Sequence, residues 1–562
     1  MTKRVIYCII ALLAAASLVL SSCGGAKPAA TPTSKPGADQ TPSGANKVVT
    51  IIFPQEFDTL GPLYTDMWFS WATWQLYLAW AWEFDQNNEP FPKLVTEIPS
   101  LENGGISADG TVITMHLRKD IKWSDNVPIT ADDFIFTWQM ATSSKNTVSS
   151  AYPYDHISDV TALDPQTVVI TFTAPFAPWL ASLWHGILPE HILGPIFTSD
   201  GTIDNADWLK NPTVGCGPFL LAEWESGSFA RFVRNPNYWG TPAKVDEIFI
   251  RFVPDAQKEA LLAGDADLGT YITYNDVPDL KAAGLSIVTE SNGYNEGLFF
   301  LDDTSGKLGN PGLRDVNVRK AIALAMDRDA INRDLHFGLT NVPASFWDGL
   351  PYYNDPPLVN YPYDPEQAKS LLDASGWVDS NGDGFREKDG VALELSYGTS
   401  ISKDRQDTQA VIQQDLAAVG IKVDIQSLDA DVFLATFGEG GPAAMGKIDI
   451  MEWSDGPVFP DADVYYWLCS EIPSNDNPQG SNWFYTCDQE LNDLIALQST
   501  QVDATTRQQT ISKINQLFYD KVYWLGLWQD PDIYAVGPRL KGAKFSGVTP
   551  FFNVADWDIV NP

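Results

Sequence analysis

The sequence predicts a mixed α/β fold with several crossings of the chain between strands and helices. Short apolar, β-rich runs alternate with helical stretches from Lys47 onward, and no fixed repeat links them. Pro and Gly fall between these runs throughout, as expected where elements must end. Hydrophobic content of 44% with 19% charged residues is that of a globular chain with a sizeable core.

In chain order, residues 48–52 (VVTII) read as a buried strand. Met67, Trp71, Trp74 and Leu78 recur at i, i+4, i+7 and i+11, one face of a helix, expected to pack on the core. Residues 112–117 alternate as a strand. A helix start follows, with Thr130 placed to accept an amide hydrogen bond and Asp133 near its positive end. Residues 160–172 and 244–253 are expected to be strands. Asp315 is a cap for a helix whose inner face carries Val318, Ile322 and Ala325. Residues 366–375 and 404–419 read as helices, and 421–427 and 448–453 as strands.

The N-terminal end reads as a targeting segment. Lys3 and Arg4 precede an apolar, uncharged run over residues 5–20. Leu20-Ser21-Ser22-Cys23 resembles the lipobox of bacterial lipoproteins, which implies a signal peptide over 1–22 and a lipid on the Cys23 thiol. Residues 23–46 are nearly all Gly, Ala, Pro, Ser, Thr or charged, so they have no apolar surface to pack and read as a disordered tether. A body held this way would stand off the outer face of the cytoplasmic membrane by its acyl chains.

The formal charge is −36, from 36 basic and 72 acidic residues. Such a balance argues against nucleic acid, whose phosphates require a basic face, and against flat adsorption on anionic lipid. Cys469 and Cys487 bracket a loop rich in Pro, Asn, Ser and Gly, and outside the cell a disulfide there is favoured over two thiols. Cys216 is left over and is expected to be a buried or partly buried thiol rather than a reactive one. Twenty tryptophans fill a core and also suit a receptor that grips varied ligands by apolar surface.

Four blocks carry a resemblance. MHLRKDIKWSDNVPITADDFIFTW (115–138), VGCGPFLLAEWESGSFARFVRNPNYWG (214–240), DVNVRKAIALAMDRDAI (315–331) and YDPEQAKSLLDASGW (363–377) resemble, in order, blocks of solute-binding protein family 5. The sequence departs from them at Ser124-Asp125-Asn126, where His-Asp-Gly is usual, and at Cys216, where Thr is usual. The resemblance implies a class II periplasmic-binding-protein clamshell of two lobes, enlarged by an extra α/β domain. Lobe I would comprise about 47–77, 206–292 and 530–562, the extra domain 78–205, and lobe III 293–529, with two crossing segments as hinge. It also implies the binding component of an ABC importer, a monomer that delivers peptides to membrane permease subunits and needs no cofactor or metal.

For a peptide, a buried carboxylate is the natural anchor for the ammonium group. By the same resemblance, Asp455 in 448–455 (IDIMEWSD) is the candidate, with Met451 and Trp453 offering backbone groups to an extended ligand. A turn cap before Gly456-Pro457 is the other reading of Asp455. Asp461 and Asp463 are expected to cap the following helix. Residues 379–390 begin like a calcium loop but have Gly390 where a bidentate Glu is needed, and read better as a hairpin turn. Gly441 to Lys447 fits Gly-x4-Gly-Lys but continues with Ile448, so no phosphate loop is expected. No Gly-x-Ser-x-Gly or His-Glu-x-x-His occurs, and the five histidines lack metal-ligand spacing. Oligosaccharide import is the runner-up, since aromatic crevices stack on sugar rings. A secreted hydrolase is a distant third.

Overall fold

The computed structural model describes residues 46–560, apart from 66, 255, 351, 352 and 355. The expected leader, Cys23 and nearly all of the tether lie outside the described residues. Among the described residues no helix is long and apolar enough to cross a membrane.

Three sheets organise the body. A seven-stranded sheet runs in the order Ser286–Glu290, Asp532–Val536, Leu268–Gly269, Val48–Phe53, Glu247–Phe252, Phe229–Arg234, Phe219–Glu225. A five-stranded sheet runs Lys422–Leu428, Glu394–Ser400, Ile450–Asp455, Asn295–Phe300, Trp524–Gln529. The third, of three strands, is Val112–His116, Thr167–Phe172, Ile157–Asp164. Residues 160–172, expected as one strand, belong to two that pair antiparallel. Pro165 cannot donate to a ladder, and the chain turns there.

The sequence pattern explains the layers. Asn295–Phe300 is buried at every position. Its side chains alternate between two separate apolar clusters, Leu298 and Phe300 in one and Phe299 in the other. A sheet covered on both faces needs such a run of buried residues rather than a polar alternation. Helix Ala131–Thr142 starts as anticipated: the Thr130 side chain accepts from Asp132, and the Thr130 amide donates to Asp133 at 2.9 Å. Asp315 caps Val316–Ala325 through the Asn317 amide.

Cys469 and Cys487 are joined in a disulfide. Cys216 is buried, and burial pushes its thiol up to about 12. Residues 379–390 hold two turns: 379–386 is a loop closed by the Val378–Glu387 bridge, and Asp389-Gly390, with Gly390 at φ +78°, joins the short strands Glu387–Lys388 and Val391–Ala392. Both Asp379 oxygens accept amides of its own loop, from Gly382 and Gly384.

The chain passes between the seven- and five-stranded sheets twice. It leaves through 291–294 and returns through 530–531. The crossings lie side by side, for the Asp530 amide donates to the Tyr294 carbonyl at 3.1 Å. Gly293 has φ +82°, and a Cβ there would sit 2.3 Å from the Phe459 ring, so only glycine fits this crossing.

Candidate ligand-binding cleft

A cavity of about 690 Å³ lies where these two sheets face each other. The seven-stranded side contributes Trp68 and Trp71, from helix Trp68–Tyr77, and the loop Tyr271 to Tyr274. The five-stranded side contributes Ser454, Asp455 and the loop that follows, with Asp404 from the start of helix Lys403–Ala418. The two crossings complete the lining with Asn292, Tyr294 and Asp530. Tyr271, Tyr294 and Tyr465 expose their rings here, an apolar surface that a soluble body gains nothing by showing to water.

Asp455 closes the central strand of the five-stranded sheet, which points its carboxylate into the cavity wall. The Trp453 indole Nε1 donates to it at 3.1 Å and the Gly456 amide at 2.8 Å, with the Tyr466 hydroxyl at 3.5 Å. Those bonds favour the charged form, yet burial outweighs them and raises the carboxyl to about 6. Asp532 is 6% exposed, and burial raises it to about 7 although Asn292 Nδ2 donates to it at 3.0 Å. Asp530 and Asp404 are also raised by burial. Four carboxylates therefore share one cleft.

Arg405 follows Asp404 in sequence but is committed elsewhere. It holds Glu296 by two bonds of 2.8 Å. Glu452 lies behind that pair, takes the Tyr397 hydroxyl, and is raised by burial and by Glu296. With two buried carboxyls to one guanidinium, this support adds no positive charge to the cleft. The arrangement favours a ligand that brings its own cation.

The sequence-predicted residues separate on inspection of their surroundings. Asp455 lines the cleft; Met451 does not. Met451 is fully buried, and its strand is central, paired to Phe299 on one side and Gly398 on the other. No backbone edge is left there for strand addition, which corrects that expectation. Trp453 pairs with Gly297, and its ring stacks on Phe299 at 4.2 Å. Its part is to hold Asp455. Asp461 and Asp463 do not cap a helix either. Asp461 forms a buried ion pair with Arg507, at 2.5 and 2.6 Å, and Asp463 accepts from Gln498. The helical stripe is shared between roles: Trp74 and Leu78 are buried, whereas Trp71 lines the cleft. Sequence reasoning missed Asp530 and Asp532, whose signal was a pair of acids flanking Pro531 between two apolar strands.

Two lobes joined by paired crossings around a lined cleft define a solute-binding protein. The comparisons agree. Residues 89–475 match the model described as "Bacterial extracellular solute-binding proteins, family 5 Middle". The chain belongs to that family. It is 24% identical to the oligopeptide-binding protein AppA of Bacillus subtilis (strain 168), covering 99% of each chain. It is 27% identical to the dipeptide-binding protein of Escherichia coli (strain K12), covering 75% of this chain and 79% of that one. The solved structure of Bacillus subtilis AppA, in complex with a nonapeptide, superimposes with TM-score 0.71 at 21% identity, over 91% of this chain and 99% of that one. The expected α/β binding-protein fold is thereby established.

Proposed function

We propose that this chain is the peptide-binding component of an ABC importer. It captures a peptide between its two lobes and hands it, chemically unaltered, to permease subunits in the membrane. Lobe I is assigned to 47–77, 206–292 and 530–562, lobe III to 293–529, and the extra domain to 78–205. The body works as a monomer, held at the outer membrane face through Cys23.

The observation that carries the reading is the unpaired acidic cleft. A peptide ammonium entering it finds Asp455 already oriented by Trp453 and Gly456, with Asp532 on the opposite lobe. Ligand that touches both sides favours the shut form by as much as it binds that form more tightly. The curated relatives named as oligopeptide- and dipeptide-binding proteins support peptides over sugars, and so does the charge. Sugar rings would use the aromatics but leave four carboxylates without a cation.

The test is calorimetry on Asp455→Asn with matched free-amine and N-acetylated peptides. Losing a charge-assisted bond of about 1.5–3 kcal/mol should weaken the free-amine peptide by roughly 10- to 100-fold. The acetylated peptide, which lacks the cation, should change little. Equal losses for both peptides would remove Asp455 from the role. A melting-temperature rise with neutral glucans but none with peptides would replace the whole reading.

A further inference from the structure

Strand order fixes where the carboxylates of the cleft stand. Asn295 pairs with Asp455 on one side and with Gln529 on the other, and both of those strands end at the same edge of the sheet. Neighbouring strands lie about 5 Å apart, so Asp455 and Asp530, which follows Gln529, leave that edge about 10 Å from each other. Asp404 and Asp532 gather with Asp530: burial and the charge of Asp404 raise Asp530, and burial and the charge of Asp530 raise Asp532. The cleft therefore has two acidic poles, Asp455 alone and the group around Asp530. Tyr294 feels both, since burial and then Asp455 and Asp532 raise its hydroxyl.

The bases near the second pole are already matched. Lys403 pairs with Asp407 at 2.5 Å and Arg405 with Glu296 at 2.8 Å. The donors that do reach the pole are neutral, Asn275 Nδ2 to Asp404 at 3.3 Å and Asn292 Nδ2 to Asp532 at 3.0 Å. Among the described residues that line the cleft there is no Lys, Arg or His. A carboxylate on the ligand would thus lose its hydration there without meeting a counter-charge. A cation meets acids, and also the open rings of Tyr271 and Tyr294, 47% and 51% exposed, whose faces attract positive charge.

We infer that the cleft selects peptides with a second positive charge near the amino end: the terminal ammonium sits at Asp455, a lysine or arginine side chain reaches the pole of Asp404, Asp530 and Asp532, and the peptide's own carboxylate stays outside. An extended peptide advances about 3.3 Å per residue, so a basic side chain within the first three positions spans the two poles. The inference rests on the peptide reading above and adds which peptides are chosen.

Calorimetry on the full chain with free-amine tetrapeptides tests it, placing Lys, norleucine or Glu at each position of an alanine background. Norleucine keeps the lysine stem without its charge. At one of the first three positions Lys should bind roughly tenfold or more tighter than norleucine, with Glu weaker than either. Amidating the carboxyl end of tetraalanine should not weaken it. Asp404→Asn combined with Asp530→Asn should shrink the Lys-to-norleucine ratio to about threefold or less, whereas Asp455→Asn should weaken both peptides and keep the ratio. Equal binding of Lys and norleucine at every position, a ratio that survives the double substitution, or a loss of affinity on amidation would overturn the inference while the peptide reading stands. If no peptide of the set binds, both fail.

Discussion

Trp453→Phe isolates how the cleft tunes its own carboxylate. Phenylalanine keeps the 4.2 Å stack on Phe299 but removes the Nε1–H that donates to Asp455 at 3.1 Å. The Gly456 amide at 2.8 Å then becomes the main donor, since the Tyr466 contact at 3.5 Å is marginal. A bond to a charged acceptor is worth about 1.5–3 kcal/mol, and each 1.36 kcal/mol moves half-ionisation by about one pH unit. Half-ionisation of Asp455 should therefore climb from about 6 to between about 7 and 8. Free-amine peptide affinity in the native protein should peak between about pH 6, where the carboxylate ionises, and about pH 8, where the peptide amine loses its proton. In the variant the acid limb moves up into the basic limb, and affinity at pH 7 falls by roughly two- to tenfold. Calorimetric titrations from pH 5 to 9, run in parallel with an N-acetylated peptide, would show it. An unmoved acid limb in Trp453→Phe would refute the claim that this indole holds the anchoring charge.

Three further outcomes concern stability. Asp461→Asn leaves Arg507, 5% exposed, without its counter-charge and should cost about 3–5 kcal/mol, read from chemical denaturation. Replacing Cys469 and Cys487 by serine reopens a link between residues 18 apart in sequence and should cost about 3 kcal/mol, seen as a lower denaturation midpoint without reductant. The raised carboxyls at Asp455 (about 6) and Asp532 (about 7) bind protons more tightly folded than unfolded, where about 3.9 is usual. Between about pH 4 and 7 stability of the ligand-free protein should therefore fall as pH rises. Asp455→Asn with Asp532→Asn should flatten that slope in denaturation midpoints measured across the range.

Much of the fold was legible because its signals are local. The Thr130 and Asp315 caps, the buried run at 48–52 and the turns within 379–390 each depend on residues within a few positions of one another. The Cys469–Cys487 link was legible from spacing and compartment. What failed was non-local. Asp461 looks like a helix cap until Arg507, distant in sequence, folds onto it. Met451 looks available to a ligand until both neighbouring strands are in place. The site was half visible: Asp455 stood out through its resemblance, whereas Asp530 and Asp532 acquire meaning only when the chain returns beside Tyr294. The 160–172 segment was misread for a simpler reason, since β-branched residues at 160–161 and 167–171 flank Asp164-Pro165 on both sides and drew attention from that turn signal.

Tyr294 and Asp530 belong both to the pivot and to the surface that meets the cargo. A substitution at either residue therefore alters the joint between the two sheets and the wall of the cleft at once.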